Sequence, residues 1–252
     1  MKHYLVIVVP SCAVLMYLSL TLVITPMRVA AMDRGCKANL RAIGLALQSY
    51  HAVYGCYPPA YTTDVSGRPM HSWRALILPF AGEDALFQTY RLDEPWNGPN
   101  NSRLAGRMPA IYGCPAHFRP GYSNYAVVVG PGTVFPGPSC VSLSQISDPR
   151  ASLVVELSDG GIPWLEPRDL RVPAFKAMDW NQYDQYVESA HKDLIDLRRQ
   201  GLAGDNQHPG GANFLFSPVQ VESWRLYGRD GLTLRGMLTI DGGEIWYHDD
   251  RY

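Results

Sequence analysis

The sequence predicts an α+β fold in which a long N-terminal helix, apolar in its first half and amphipathic in its second, packs on an antiparallel β-sheet. Three observations carry this. An uncharged apolar run, Tyr4 to Thr25, passes without a polar linker into a spacing of three and four between apolar residues that lasts to Tyr54. Ala212, Phe214 and Phe216 alternate with Asn213 and Leu215, and Val219, Val221 and Ser223 alternate with Gln220, Glu222 and Trp224, which is the period of a hairpin. Glycine (23) and proline (20) are frequent among the 252 residues, so the connections are rich in turns and long.

The apolar run has about the twenty residues that a helix needs to cross the ~30 Å hydrocarbon core of a bilayer. Residues 1–26 are therefore expected to be a transmembrane anchor ahead of a domain at 27–252. A cleavable signal peptide is the competing reading, because Lys2 precedes the run and Val29-Ala30-Ala31 has the small residues of a cleavage site. The apolar core is too long for it, against the usual ~7–15 residues. Pro26 is expected to kink the helix near the membrane surface. Beyond it, Val29, Met32, Cys36, Leu40, Ile43, Leu47, Tyr50 and Tyr54 share a face, while Arg34, Lys37, Arg41 and Gln48 fall on another. Residues 27–54 thus read as a helical spine awaiting a partner surface, stopped by Gly55 and Pro58-Pro59. Arg28, Arg34, Lys37 and Arg41 follow the apolar run and only Lys2 precedes it, a charge count that by itself favours a cytoplasmic domain.

Further along, Thr62 to Pro69 is a polar turn region. His71 to Pro79 is predicted as a short helix burying Trp73, Leu76 and Ile77 and ended by Pro79, and Glu83 to Tyr90 as a second, offering Leu86, Phe87 and Tyr90. Asp93 to Asn101 is a loop in which Trp96 looks buried and the asparagines close turns. Strands are predicted at Tyr125 to Val129 and Ser152 to Leu157. Asp179 to Gly201 carries Trp180, Tyr183, Val187, Ala190, Leu194 and Leu197 on one face, with an N-cap aspartate and a terminal glycine, and is predicted as an independent amphipathic helix. Gly231 to Ile240 is read as a further helical turn, and Asp241-Gly242-Gly243-Glu244 turns into a last strand, Ile245 to Tyr247.

Net charge is −1 with mixed signs, so the basic stripe of a nucleic-acid binder is absent and no nucleic acid is expected as partner. Gly121-Tyr122-Ser123-Asn124-Tyr125 lacks the second glycine of a nucleophile elbow, and Gly130-Pro131-Gly132 is a turn rather than a phosphate loop. His51, His117, His191 and His208 have no partner at ligand spacing. His208, beside Gly210-Gly211 at the hairpin mouth, reads as a structural hydrogen-bonding group ahead of a catalyst. Asp241 with Glu244 reads as a glycine turn ahead of a calcium site. No catalytic residue, metal or cofactor is expected, and the chain is not expected to be an enzyme. Cys36, Cys56, Cys114 and Cys140 lie beyond the apolar run, and none is in a CxxC or zinc-like spacing. An even number without metal spacing favours disulfides in an oxidising compartment over free buried thiols.

The stretch Cys36-Lys37-Ala38-Asn39-Leu40-Arg41-Ala42-Ile43-Gly44 through Gln48-Ser49-Tyr50-His51, followed by Tyr54-Gly55 and Pro58-Pro59, resembles the opening of the DUF1559 family of pilin-like proteins of planctomycetes. Later pieces agree in order: Ser72-Trp73-Arg74 with Leu78-Pro79, Glu94-Pro95-Trp96-Asn97-Gly98-Pro99-Asn100-Asn101, Cys114-Pro115, and His208-Pro209-Gly210-Gly211-Ala212-Asn213-Phe214. Pro163-Trp164, Asp169-Leu170 and Asp241-Gly242-Gly243-Glu244 also look like family positions. The resemblance implies a type IV pilin or type II secretion pseudopilin architecture, with the C-terminal domain outside the cytoplasmic membrane, and no established biochemical activity. It implies the pairing Cys36 to Cys114, both in family motifs, which leaves Cys56 to Cys140. The chain departs from the family in three places. The N-terminus lacks the prepilin peptidase glycine and the fifth-position glutamate, so an uncleaved anchor that joins no pilus is expected. Pro218-Val219 stands where the family has an Asp-Gly turn. The helix at 179–201 looks like an insertion.

The expected function is thus that of a membrane-anchored, pilin-like or pseudopilin-like structural or interaction protein of the cell envelope. It is placed as a single pass in the cytoplasmic membrane with its domain extracytoplasmic, and its partners are the membrane and envelope or secretion-system proteins. The alternative is an extracytoplasmic ligand-binding module that uses loop region 62–138 and the helix 179–201, with Trp96, Trp164 and His208 as a possible binding surface.

Overall fold

The computed structural model describes residues 2–148, 150–157, 161–174, 183–200, 202, 212–224 and 237–239, with side chains from residue 22 on, and in the helix at 183–199 for residue 188 and from residue 192. Helix α1 (Lys2–Tyr54) runs without interruption through Pro26. It ends at Gly55, whose left-handed φ of 76° lets its N–H reach the His51 carbonyl at 2.8 Å. Then come the hairpin β1 (Tyr61–Thr63) and β2 (Pro69–Ser72), the single turns α2 (Trp73–Leu76) and α3 (Asp84–Phe87), and the short strands β3 (Tyr122–Ser123), β4 (Tyr125–Ala126) and β5 (Val128–Val129). The rest is β6 (Ser152–Glu156), β7 (Ile162–Pro163), β8 (Leu170–Arg171), α4 (Tyr183–Arg199), β9 (Ala212–Phe216) and β10 (Gln220–Trp224).

The largest sheet among the described residues has the antiparallel order β10-β9-β6-β4, with Trp224 opposite Ala212, Val155 opposite Phe214 and Tyr125 opposite Glu156. Both its faces are covered. Leu215 and Val154 join a core with Cys36, Leu40, Ile43 and Leu47 of the spine. Ala212, Phe214, Phe216 and Val155 turn the other way and join a second core with Leu194 and Leu197 of α4. The predicted alternation in β9 is therefore real, yet every residue of the strand is buried, because a helix lies against each side. Gly44 sets the distance between spine and hairpin: a Cβ there would stand 3.0 Å from Leu215 Cδ1 and 3.0 Å from Val219 Cγ1.

Several elements differ from the sequence reading. The single strand expected at 125–129 is split, because Val127 turns its N–H to the Asp169 carboxylate at 3.0 Å and its carbonyl accepts from the Leu170 N–H. β4 stays in the main sheet and β5 pairs in parallel with β8. Pro79 does not end a helix; it opens a 3-10 turn, Leu78–Ala81, where its missing N–H costs nothing. Arg74 and Ala75 are buried beside Trp73 and Ile77, while Leu76 is only half-buried. α3 covers one turn of the predicted Glu83 to Tyr90 segment. Of Gly231 to Ile240, Met237 and Leu238 are helical. His208, Asp241 to Glu244, the predicted strand Ile245 to Tyr247 and Trp180 lie outside the described residues.

Among the described residues no helix is long and apolar enough to cross a membrane. Where α1 leaves the domain, Leu22 (74 %), Val23 (58 %) and Met27 (65 %) are exposed, and Cys36 is the first residue of the spine to be fully covered.

Candidate functional site

Two of the short motifs singled out in the sequence are fold devices. Ser72 caps α2, its Oγ accepting from the Arg74 N–H at 3.3 Å. Arg74 is entirely buried: Nη2 donates to Asp169 Oδ1 at 2.7 Å, Nε and Nη2 donate to the Tyr125 carbonyl at 3.1 and 2.7 Å, and Nη1 donates to Ser72 Oγ at 3.0 Å. Asp169 Oδ1 also accepts from the Trp73 indole N–H at 3.1 Å. Burial pushes the Asp169 carboxyl up from the ordinary range, while the Arg74 charge and these donors pull it down. Nε, Nη1 and Nη2 of Arg74 are all engaged by protein oxygens, so the pair joins α2 to β4 and β8 and leaves no group for chemistry.

The Tyr112 hydroxyl donates to the Arg74 carbonyl at 2.8 Å, and that of Tyr125 to the Cys36 carbonyl at 3.3 Å. Burial raises both phenols above their ordinary value of about 10. A raised folded-state pKa means that the unfolded chain ionises first, so the stability these groups contribute is whole below about pH 10 and lost above it. The urea midpoint is expected to hold between about pH 7 and 9 and to fall steeply toward about pH 11, in step with the rise of phenolate absorbance. A midpoint unchanged at about pH 11 would contradict this reading of the tyrosines.

The Glu94 to Asn101 loop is closed on itself. The Glu94 carboxylate accepts from the Asn100 and Asn101 amides at 2.8 and 2.6 Å and from Asn100 Nδ2 at 2.9 Å. Burial opposes its ionisation, but these donors prevail and hold its pKa below the usual glutamate range. Gly98 makes room for the folded carboxylate, since a Cβ there would lie 2.8 Å from Glu94 Cδ. Asn101 is buried and donates from Nδ2 to the carbonyls of Arg91, Glu94 and Pro95, the turn-closing role expected of it. The Trp96 N–H donates to the Met70 carbonyl at 2.9 Å and so lays the loop along β2.

Facing that loop is the tip of the β1–β2 hairpin. Asp64 Oδ1 accepts from Ser66 N, Ser66 Oγ and Arg68 N at 2.8, 2.7 and 3.0 Å, and Oδ2 from Arg68 Nε at 2.8 Å. Donation by the Ser66 hydroxyl, then by Arg68, holds Asp64 well below the usual carboxylate range. Between loop and tip is a cleft of about 460 Å³ lined by Asp64, Arg68, Pro69, Met70, Pro95, Trp96 and Asn97. Sequence reasoning found Trp96 but not its neighbours, because hairpin tip and loop are brought together by a backbone hydrogen bond that no side-chain pattern announces.

The expected Trp96, Trp164 and His208 surface needs correction. Trp164 is fully buried, donates its indole N–H to the Ala105 carbonyl at 3.0 Å and stacks on Tyr112 with ring centroids 6.2 Å apart. An apolar ring whose single donor is satisfied inside belongs to the core. Trp96 is half-buried at the cleft, and His208 lies outside the described residues. The four candidate cysteines are joined as Cys36–Cys114 and Cys56–Cys140, with Cα–Cα distances of 5.0 and 5.8 Å. His51 accepts from the Leu143 N–H at 3.0 Å, a structural contact beside the second bridge.

Fold and cross-links define the class: an α+β domain built on a continuous N-terminal helix, with that helix and its exit segment each tied to a distant loop by a disulfide. A family model described as "Protein of unknown function (DUF1559)" matches residues 26–147, the part of the chain that holds the spine, both disulfides and the cleft, and that part is similar to the family. No curated protein and no solved structure matches the chain.

Proposed function

We propose that this protein is a membrane-anchored structural or interaction module of the cell envelope, pilin-like or pseudopilin-like in plan and without a catalytic step. The observation that carries the reading is the row of exposed apolar side chains, Leu22, Val23 and Met27, where α1 leaves the domain in the direction of the uncharged Tyr4 to Thr25 run. Exposed apolar surface costs about 25 cal/mol per Å² in water, a cost that lipid around the helix removes. Two disulfides in one domain support an oxidising compartment, hence a domain outside the cytoplasm, over the charge count that favours the inside. Long downstream domains are translocated largely regardless of nearby charge. The implied partners are the membrane and other envelope or secretion-system proteins. A reporter pair fused after Tyr252 tests the orientation: activity of the export-dependent reporter is expected, and activity of the cytoplasm-only one would reverse the proposal.

A second reading, an extracytoplasmic ligand-binding module using region 62–138, is favoured by the cleft beside Trp96. Of the expected helix at 179–201, α4 (Tyr183–Arg199) by contrast gives Leu194 and Leu197 to the core on the far side of the sheet, which argues for a covering role there.

A further inference from the structure

We propose that the cleft between the Asp64 to Arg68 turn and Trp96 binds a pyranose ring of a neutral saccharide; the proposal rests on the ligand-binding reading and gives it a site and a ligand class.

The tryptophans supply the first argument. Among the described residues, Trp73, Trp164 and Trp224 donate their indole N–H to Asp169, Ala105 and Glu222 respectively. Trp96 donates its indole N–H to no acceptor among the described residues, and its ring borders the cleft. A half-buried indole with a free donor offers a ligand both an apolar face and a hydrogen bond.

The lining supplies the second. Pro69, Met70, Pro95 and Trp96 give an apolar wall, and Asp64, Arg68 and Asn97 bring polar groups to it. A pyranose ring has the matching character, with a C–H face that stacks on an aromatic and hydroxyls around its edge. Among the described residues Asp64 Oδ2 accepts only from Arg68 Nε, the two Nη groups of Arg68 have no partner, and the Asn97 side-chain amide has none, so acceptor and donors are available together. Asp64 and Arg68 cancel in charge, which favours a neutral ligand. About 460 Å³ lies in the range of small-molecule sites and suits one or two sugar rings.

Rigidity supplies the third. One side is locked by the four hydrogen bonds on Asp64 and the other by those of Glu94 and Asn101, so little ordering accompanies binding. A peptide strand is a poorer occupant, because the Met70 carbonyl, where an added strand would pair on β2, already accepts from the Trp96 N–H.

The test is titration of the full chain in lipid nanodiscs with cellotetraose and with fully N-acetylated chitotetraose, followed by tryptophan fluorescence and calorimetry, and repeated with Trp96→Ala, Trp96→Phe and Arg68→Ala. A proline-rich decapeptide is titrated in parallel, and thermal melts establish that each variant folds. Binding of at least one tetrasaccharide is expected, weakened about tenfold or more by Trp96→Ala, ~1.4 kcal/mol, and less by Trp96→Phe, which keeps a stacking face but not the N–H. Failure of both sugars, with peptide binding lost in Trp96→Ala, would overturn the saccharide class and leave the binding module standing. Sugar binding untouched by Trp96→Ala, or no Trp96-dependent binding of any probe, would overturn the site.

Discussion

Replacing Asp169 by alanine is expected to destabilise the fold by about 3–5 kcal/mol, the cost of stranding a buried charge. Arg74 has no exposed surface, and its guanidinium donates to Asp169, Ser72 and the Tyr125 carbonyl and lies 4.7 Å from the Trp73 ring centroid, so removing the carboxylate leaves its charge buried among neutral groups. Arg74→Met alone is expected to cost as much, since it leaves Asp169 with only the neutral Trp73 and Val127 donors. The double variant is expected to recover part of either loss, because two apolar replacements strand no charge. Urea unfolding of the four proteins gives the coupling. Additive losses would contradict the view that these residues act as one unit.

Removing the two disulfides ranks next. The bridges close segments of 78 and 84 residues, and each is expected to contribute about 2–4 kcal/mol, mostly by restricting the unfolded chain. Cys36–Cys114 ties the spine to the loop before β3, where Asn39 Nδ2 also donates to the Gly113 carbonyl at 2.8 Å; Cys56–Cys140 ties the exit of the spine to the loop before β6. Cys36→Ala with Cys114→Ala, and Cys56→Ala with Cys140→Ala, are each expected to lower the urea midpoint clearly. A change under about 0.5 kcal/mol in both would place the cross-links outside the stability of the domain.

What could be read from the sequence was what repeats locally. The spine and the β9–β10 hairpin were legible because their periods, near 3.6 and 2, are set by which face is buried. The break at Val127 was not, because its cause is a carboxylate 42 positions away. Trp164 looked available for binding for the same reason: its acceptor, the Ala105 carbonyl, is 59 positions distant and is fixed by the tertiary fold. Arg74 reads as a surface charge until its partner is known, and only its place in the Ser72-Trp73-Arg74 motif set it apart. The disulfide pairing came from the family resemblance, since four cysteines allow three connectivities and spacing does not choose among them. The cleft stayed hidden because residues 64–70 and 95–97 meet only through the fold.

Alkaline carbonate extraction of membranes from cells making the full chain, beside a chain that starts at Met27, tests the anchoring of this domain most directly. The full chain is expected to stay with the membrane pellet and to be digested by protease added outside spheroplasts, while the shorter chain is washed free. Release of the full chain by carbonate, or protection of its domain from external protease, would contradict it.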